Sequence, residues 1–419
     1  MSLPEACFLT RDTLIELDRQ DPLAARRAAF TLPPDVIYLD GNSLGPLVSS
    51  VVPRMERAVR QEWGQGLIRS WNDAGWYPAP LRVGAAIARL VGAQPHEVAV
   101  CDSTSVNLFK VLVAALRARP GRRVIVSELG NFPTDQYVAD GVAALTGAQL
   151  RCVPAEQIEA AIEAAGEDFA VLTLTEVNYK TGRLHDMARL TAAAHRAGGL
   201  VAWDLAHSAG TLPVQLGACG VDYAVGCGYK YLNGGPGAPA FVYVAERHHA
   251  SLSQPLQGWH GHARPFDFAH AYEPHAGIDR MLVGTAPQLS LIALEEALTA
   301  FDGVNLQQLR AKGMVLGDLF IALVEQELAG FGFGLASPRE AAQRGSQVSL
   351  THEQGYAIMQ ALIARGVIGD FRAPDILRFG FAALYVRHVD VWDAVAVLRE
   401  VMRTRDWDRP EFLARKAVT

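Results

Sequence analysis

From about residue 98 the chain alternates short apolar runs with segments of helical periodicity, and this pattern restricts its fold more than any other feature. EVAVC is followed by TSVNLFKVLVAALRA, RRVIVSE by TDQYVADGVAALTG, AQLRCV by EQIEAAIEAAG and FAVLTLTEV by DMARLTAAAHRAG; LVAWDLAH, VDYAVGCGY and AFVYVAE complete the series. Alternating β and α units predict a doubly wound, mostly parallel sheet. Ligands of such sheets sit beyond the carboxyl ends of the strands. The residues that close each apolar run are therefore the first candidates for chemistry.

One run, LVAWD, closes on Asp204 and is followed by His207; Lys230 comes later, in GCGYKYLNGGPG. Lys230 is flanked by Gly226, Cys227, Gly228 and Tyr229 on one side and by Tyr231, Leu232 and the Gly234–Gly237 turn on the other. An amine set in such an uncharged, Gly-punctuated segment is tolerated when it is neutral or covalently engaged. The alternative is a solvated surface lysine. A lysine downstream of a strand-end Asp-x-x-His is what a pyridoxal phosphate (PLP) enzyme needs. Lys230 would form a Schiff base with the cofactor aldehyde, and Asp204 would pair with the pyridine nitrogen and keep the ring an electron sink.

Other strand ends add candidates that are weaker alone. Asp102–Ser103–Thr104–Ser105 opens a helix, where hydroxyls and free backbone N–H groups either hold a phosphate or simply cap the helix. In NFPTD, Phe132 is either a core ring or a face for the cofactor, and Asp135 either a cap or a carboxylate at the polar edge. Thr175 ends FAVLTLT as a local hydroxyl or a cleft residue.

The chain has 419 residues, 50% of them hydrophobic and 20% charged, enough for a large domain and a smaller one. We expect a large domain over 56–288 and a small α+β domain from 1–55 with 289–419, with a helix opening at Pro53. The net charge of −6 comes without any Lys/Arg run, so no nucleic-acid or anionic-membrane partner is expected. No apolar stretch reaches membrane-spanning length and the N-terminus lacks a signal pattern, so the expected location is the cytoplasm. The five cysteines, Cys7, Cys101, Cys152, Cys219 and Cys227, show no CxxC pair and fit reduced thiols. His248–His249 and His260–Gly261–His262 lack a third ligand at suitable spacing, and no metal is expected.

In order along the chain stand DGNSLG (40–45), SWNDAGW (70–76), STSVNL (103–108), NFPTD (131–135), VNYKTG (177–182), WDLAHSAG (203–210), GYKYLNGGPG (228–237), GWHGH (258–262) and LRFGFAALY (377–385). As a set they resemble the kynureninases of the bacterial type, over nearly the whole chain. The resemblance implies a fold-type-I PLP homodimer that hydrolyses L-kynurenine to anthranilate and L-alanine, in the tryptophan breakdown that feeds NAD biosynthesis, with weaker action on 3-hydroxykynurenine. It makes Lys230 the Schiff-base lysine and Asp204 the partner of the pyridine nitrogen, with Phe132 on the ring and Asp135, Thr175 and His207 around its polar edge. Thr104, Ser105 and Tyr229 would hold the phosphate, helped by Trp259 and Thr285 from the other subunit. Arg378 would clamp the substrate α-carboxylate, and Ser43 and Trp71 would also contact substrate. One departure bears on specificity: animal-type members carry Asn near the position of Thr285 and His near that of Trp71.

The bond to be broken joins Cβ to a carbonyl carbon. The Cα proton must move first, which suits Lys230, and the leaving carbon must then be protonated; Tyr229 either supplies that proton or is a phosphate ligand only. A cysteine desulfurase would need a nucleophilic cysteine after the lysine, and the last cysteine, Cys227, precedes Lys230. An aminotransferase shares the Asp and Lys and is separated by product analysis with a keto-acid acceptor; against an inactive PLP-binding homologue stands that every proposed catalytic position is filled.

Overall fold

The structure, a computed structural model, describes residues 10–415, so Cys7 lies outside the described residues. The chain forms two compact units, one of Ser50–Asn178 with His185–Thr299, the other of 10–49 with Tyr179–Leu184 and 300–415. The larger unit therefore starts a few residues before the expected 56 and runs past 288. The helix Gln288–Ala297 packs on Val51–Arg57 and Ala79–Val91, which keeps it there.

A seven-stranded sheet forms the centre of the larger unit: β1 (Val98–Val100), β2 (Val124–Glu128), β3 (Gln149–Val153), β4 (Phe169–Thr175), β5 (Leu200–Asp204), β6 (Tyr223–Gly226) and β7 (Phe241–Val244), in the order β1-β7-β6-β5-β4-β2-β3. The pairs among β2 to β6 are parallel, and β7 alone runs antiparallel to both its neighbours. The parallel strands other than edge strand β3 are buried along their whole length, as continuous Val/Ile/Leu runs require when helices cover both faces. Two of those helices are α1 (Thr104–Arg117) and α2 (Pro133–Thr146). α1 begins at an N-cap Ser103 whose hydroxyl accepts from Val106 N, and its apolar stripe of Leu108, Val111, Leu112 and Ala115 is buried against the sheet.

The helix expected to open at Pro53 begins at Val51 instead. Pro53 still lies in its first turn, where a missing N–H goes unused. From Ala58 to Gly66 the same helix widens to π geometry, and Leu67, at φ 54°, ends it.

The smaller unit holds a four-stranded antiparallel sheet, made of Gly334–Leu335, Gln347–Thr351, Ile376–Gly380 and Asp370–Arg372 in that order across it. The helices Leu306–Glu327 and His388–Thr404 pack together in this unit, and the aromatic core is centred on Phe320, whose ring lies 4.8 Å from Phe379. The short segment Tyr179–Leu184 belongs here because its backbone is bonded to the strand region: Gly345 N donates to Gly182 O at 2.8 Å and Leu184 N to Gln343 O at 2.9 Å.

Candidate active site

Strand order brings the larger unit's candidates to one edge. Asp204, the last residue of β5, is in register with Thr175, the last of β4. α1 and α2 start at the same edge. Of the eleven cofactor-binding residues expected from the sequence, nine line a single cleft of about 270 Å³: Thr104, Ser105, Phe132, Asp135, Thr175, Asp204, His207, Tyr229 and Lys230.

The lysine is held without a carboxylate bond. Lys230 Nζ lies 2.9 Å from His207 Nε2, 5.9 Å from the Phe132 ring centre and 5.8 Å from that of Tyr229. Its loop is folded tightly on itself: Gly234 N donates to Gly228 O at 2.9 Å, and a Cβ on Gly228 would stand 2.5 Å from Pro239 O. Only glycine fits there. Phe132, for which a core ring is one of the two readings, is 38% exposed at the N-cap of α2.

Two buried carboxyls face each other in the cleft. Burial, and then the charge of Asp204, push the Asp135 carboxyl well above the usual range. Asp204 is also raised by burial but pulled back by Lys230 and by the Ala206 N–H, which it accepts at 2.8 Å. Of the two, Asp204 is the one favoured as the anion, because Lys230, the Ala206 N–H and its contact with Asp135 all act to lower it. Thr175 Oγ lies 3.3 Å from Asp135 Oδ2 and donates to Asn131 Oδ1, which also accepts from Phe132 N at 2.8 Å. Asn131 is a residue the sequence reading passed over although it opens NFPTD. Its amide oxygen ties the ends of β2 and β4 to the start of α2. Ser103, Thr134, Ala206 and Cys227 line the cleft as well. Burial raises the Cys227 thiol and the Tyr229 phenol, so both keep their protons at neutral pH.

Trp259 and Thr285 do not line this cleft, and both are exposed. Trp259 instead stacks on His260, with ring centres 4.8 Å apart, and meets Trp71 edge-on at 6.4 Å. In the smaller unit Arg378 is buried, about 2% exposed, and both arms of its fork go to Asp370: Nε donates to Oδ1 at 2.6 Å and Nη2 to Oδ2. Nη1 donates to Tyr179 O at 2.6 Å, and Ser43 Oγ lies 2.6 Å from Asp370 Oδ2. The partner that an arginine in an apolar strand needs is thus supplied within the unit, and burial by itself is no argument for a substrate.

Among the described residues no group of three or more His, Cys, Asp or Glu could hold a metal ion, and no helix is long and apolar enough to cross a membrane.

Residues 309–398 match the family model described as the kynureninase C-terminal domain. A kynureninase of Burkholderia mallei strain SAVP1 is 50% identical over 414 residues, covering 98% of this chain and 100% of that protein. A kynureninase of Pseudomonas fluorescens is 51% identical over 417 residues, with the same shares covered. Among solved structures, the apo cysteine desulfurase of Thermococcus onnurineus NA1 superposes with a TM-score of 0.77 at 18% identity, over 91% of this chain and 98% of that one. A C-DES variant with glycine covalently linked to its PLP cofactor gives 0.77 at 17% identity, over 89% and 99%. At such identities these two likenesses speak for the fold alone.

Proposed function

The chain belongs to the kynureninase family, and from that premise we propose how its residues carry the family's reaction. That reaction is the PLP-dependent hydrolytic Cβ–Cγ cleavage of L-kynurenine to anthranilate and L-alanine, a step of tryptophan catabolism. The residues present fit the cofactor. The cleft offers an amine, a buried carboxyl for a ring nitrogen, an aromatic face half open to the cavity, and hydroxyls at a helix N-terminus. Lys230 would bind its aldehyde carbon, Asp204 its ring nitrogen, Phe132 its face, His207, Thr175 and Asp135 its polar edge, and Thr104, Ser105 and Tyr229 its phosphate.

When bound, the cofactor supplies the electron sink that lets the Cα–H and Cβ–Cγ bonds break. Lys230, as a free amine, takes the Cα proton, and His207 at 2.9 Å helps hold that amine in place. Water adds to the substrate's γ-carbonyl, and collapse of the gem-diol releases anthranilate. The Tyr229 phenol, kept protonated by burial, donates to the β-carbon left behind. Arg378, with Ser43 beside it, receives the α-carboxylate, exchanging part of its bonding to Asp370 for the substrate. Trp71 contacts the substrate, and action on 3-hydroxykynurenine is the weaker.

The enzyme works as a homodimer in the cytoplasm, with Trp259 and Thr285 reaching the partner's phosphate site. The support for the dimer is that both are exposed and absent from their own chain's cleft. A desulfurase reading gains nothing from the fold likeness: Cys227, the cysteine in the cleft, is a buried thiol with a raised pKa, the opposite of an activated nucleophile.

The observation that carries this reading is the convergence of Lys230, Asp204 and His207 in one cleft, within a chain half identical to kynureninases along its length. Purified protein incubated with PLP and L-kynurenine should release fluorescent anthranilate. A folded, PLP-loaded protein that releases none would overturn it.

A further inference from the structure

We infer that Lys110 is a positioning residue that fixes, from behind, both chain segments assigned to phosphate binding; this rests on the cofactor reading above. Lys110 lies two turns into α1 and its side chain is wholly buried. Burying an ammonium is costly unless each of its donors is matched. Here all three have acceptors: Asp102 Oδ2 at 2.6 Å, Met281 O at 2.7 Å and Cys101 Sγ at 3.5 Å.

The first acceptor controls the near half of the site. Asp102 joins β1 to the N-cap of α1 and sits at φ 51°, in the left-handed region that side-chain-bearing residues seldom adopt. That turn is what brings Ser103, Thr104 and Ser105 round to the cleft. Lys110 holds its carboxylate from two turns away and so holds the turn.

The second acceptor controls the loop whose residues are assigned to the partner subunit's phosphate site. Met281 ends a short helical turn, and the next two residues run against the Trp259 segment with no room to spare. A Cβ on Gly258 would stand 2.0 Å from Val283 O, and one on Gly261 2.6 Å from Leu282 O. Trp259 lies between those glycines and Thr285 two residues beyond Val283. One ammonium therefore anchors the turn with Thr104 and Ser105 and the loop with Trp259 and Thr285. Nothing else about Lys110 touches the cleft, so its effect passes through these segments.

The test uses Lys110→Met combined with Asp102→Asn, since Asn tolerates the left-handed turn and no carboxylate is left facing a methionine. The purified apoenzyme is titrated with PLP and, separately, with pyridoxal, which lacks the phosphate. Replacing a residue that orients direct ligands typically weakens binding on the order of 10-fold or more. PLP affinity should fall by about that factor while pyridoxal affinity stays at the wild-type value. Lys110→Gln, which keeps a neutral donor, should fold and give a smaller loss of the same kind. Unchanged PLP affinity in either folded variant overturns the inference, and so does equal weakening toward both ligands. Failure of the wild-type protein to bind PLP at all would instead overturn the cofactor reading.

Discussion

Asp370 and Arg378 stand opposite each other in register on adjacent antiparallel strands and share a two-bond ion pair in which each side chain is about 2% exposed. The residue assigned to the substrate carboxylate thus already has a carboxylate, and substrate must share or displace it. Arg378→Ala should lower kcat/KM for kynurenine by on the order of 10²-fold or more, because a buried charge-assisted pair is lost. It should also cost stability, by less than the ~3–5 kcal/mol of a carboxylate left without partners, because Asp370 keeps Arg372 at 2.8 Å and Ser43 at 2.6 Å. Arg378→Lys should be poor too, since an ammonium lacks the fork. The comparison that decides is kynurenine against its decarboxylated analogue kynuramine. If Arg378→Ala loses equally on both, the arginine is structural only.

Lys230→Ala should abolish the visible absorption of the bound cofactor and nearly all turnover, since no other lysine lines the cleft. Borohydride reduction of the wild-type enzyme followed by peptide mapping should find the pyridoxyl group on Lys230. Recovery of the label on another lysine would refute the assignment.

Tyr229→Phe separates the two roles open to that phenol. As the proton donor, its loss should reduce kcat at saturating PLP by about 10²-fold. As a phosphate ligand alone, its loss should weaken PLP binding and leave saturated kcat intact. Because burial raises the phenol, it stays protonated above its ordinary pKa of ~10, so no fall in kcat between neutral pH and about pH 9 should be traceable to it.

Asp40, in the smaller unit, makes the fold's stability depend on pH in an unusual sense. Burial and the neighbouring Asp370 push its carboxyl up to about 7, and its Oδ1 has no hydrogen-bond partner. A raised folded-state pKa stabilises fully below the unfolded value, ~3.9, and that contribution is lost as pH rises through about 7. Asp40→Asn should flatten this loss. Melting temperatures of the wild type and variant should converge at acid pH, with the variant holding up better toward pH 8. Parallel curves would show that Asp40 titrates normally.

Mixing Lys230→Ala subunits with Trp259→Ala subunits should restore part of the activity if the Trp259 loop serves the partner's site. A hybrid dimer then carries both lesions in one site and leaves the other whole. Absence of recovery in demonstrably mixed dimers, or full activity in a monomeric sample, counts against a shared site.

The β/α alternation made the large sheet legible, because buried parallel strands must be written as continuous apolar runs and their ends mark the cleft. Asp204, Thr175 and Lys230 could be found on that logic. What could not be read depends on pairing between distant segments. Asp370 precedes Arg378 by only 8 residues, yet nothing in the spacing says that strand register sets the two face to face. Asn131 carries no signal of its own in NFPTD, and its role appears only when β4 lies beside β2 and brings Thr175 to its amide. Phe132 was ambiguous for a different reason. A ring at a helix N-cap is turned inward or outward by the backbone angle there, which composition does not encode.

The reversal of β7 gives the lysine its precision. Had β7 run with its neighbours, the chain after β6 would have needed a crossover of a dozen or more residues, usually including a helix. Running backward, β7 pairs with β6 directly, Phe241 opposite Gly226, so Lys230 rides on a closed hairpin whose two stems are bonded to each other. Sheet register thus fixes the stems from which its backbone departs, while His207 holds the amine itself. Such a mount resists thermal wander, and it should tolerate changes on the loop's outer surface far better than a single residue inserted or deleted between 226 and 241.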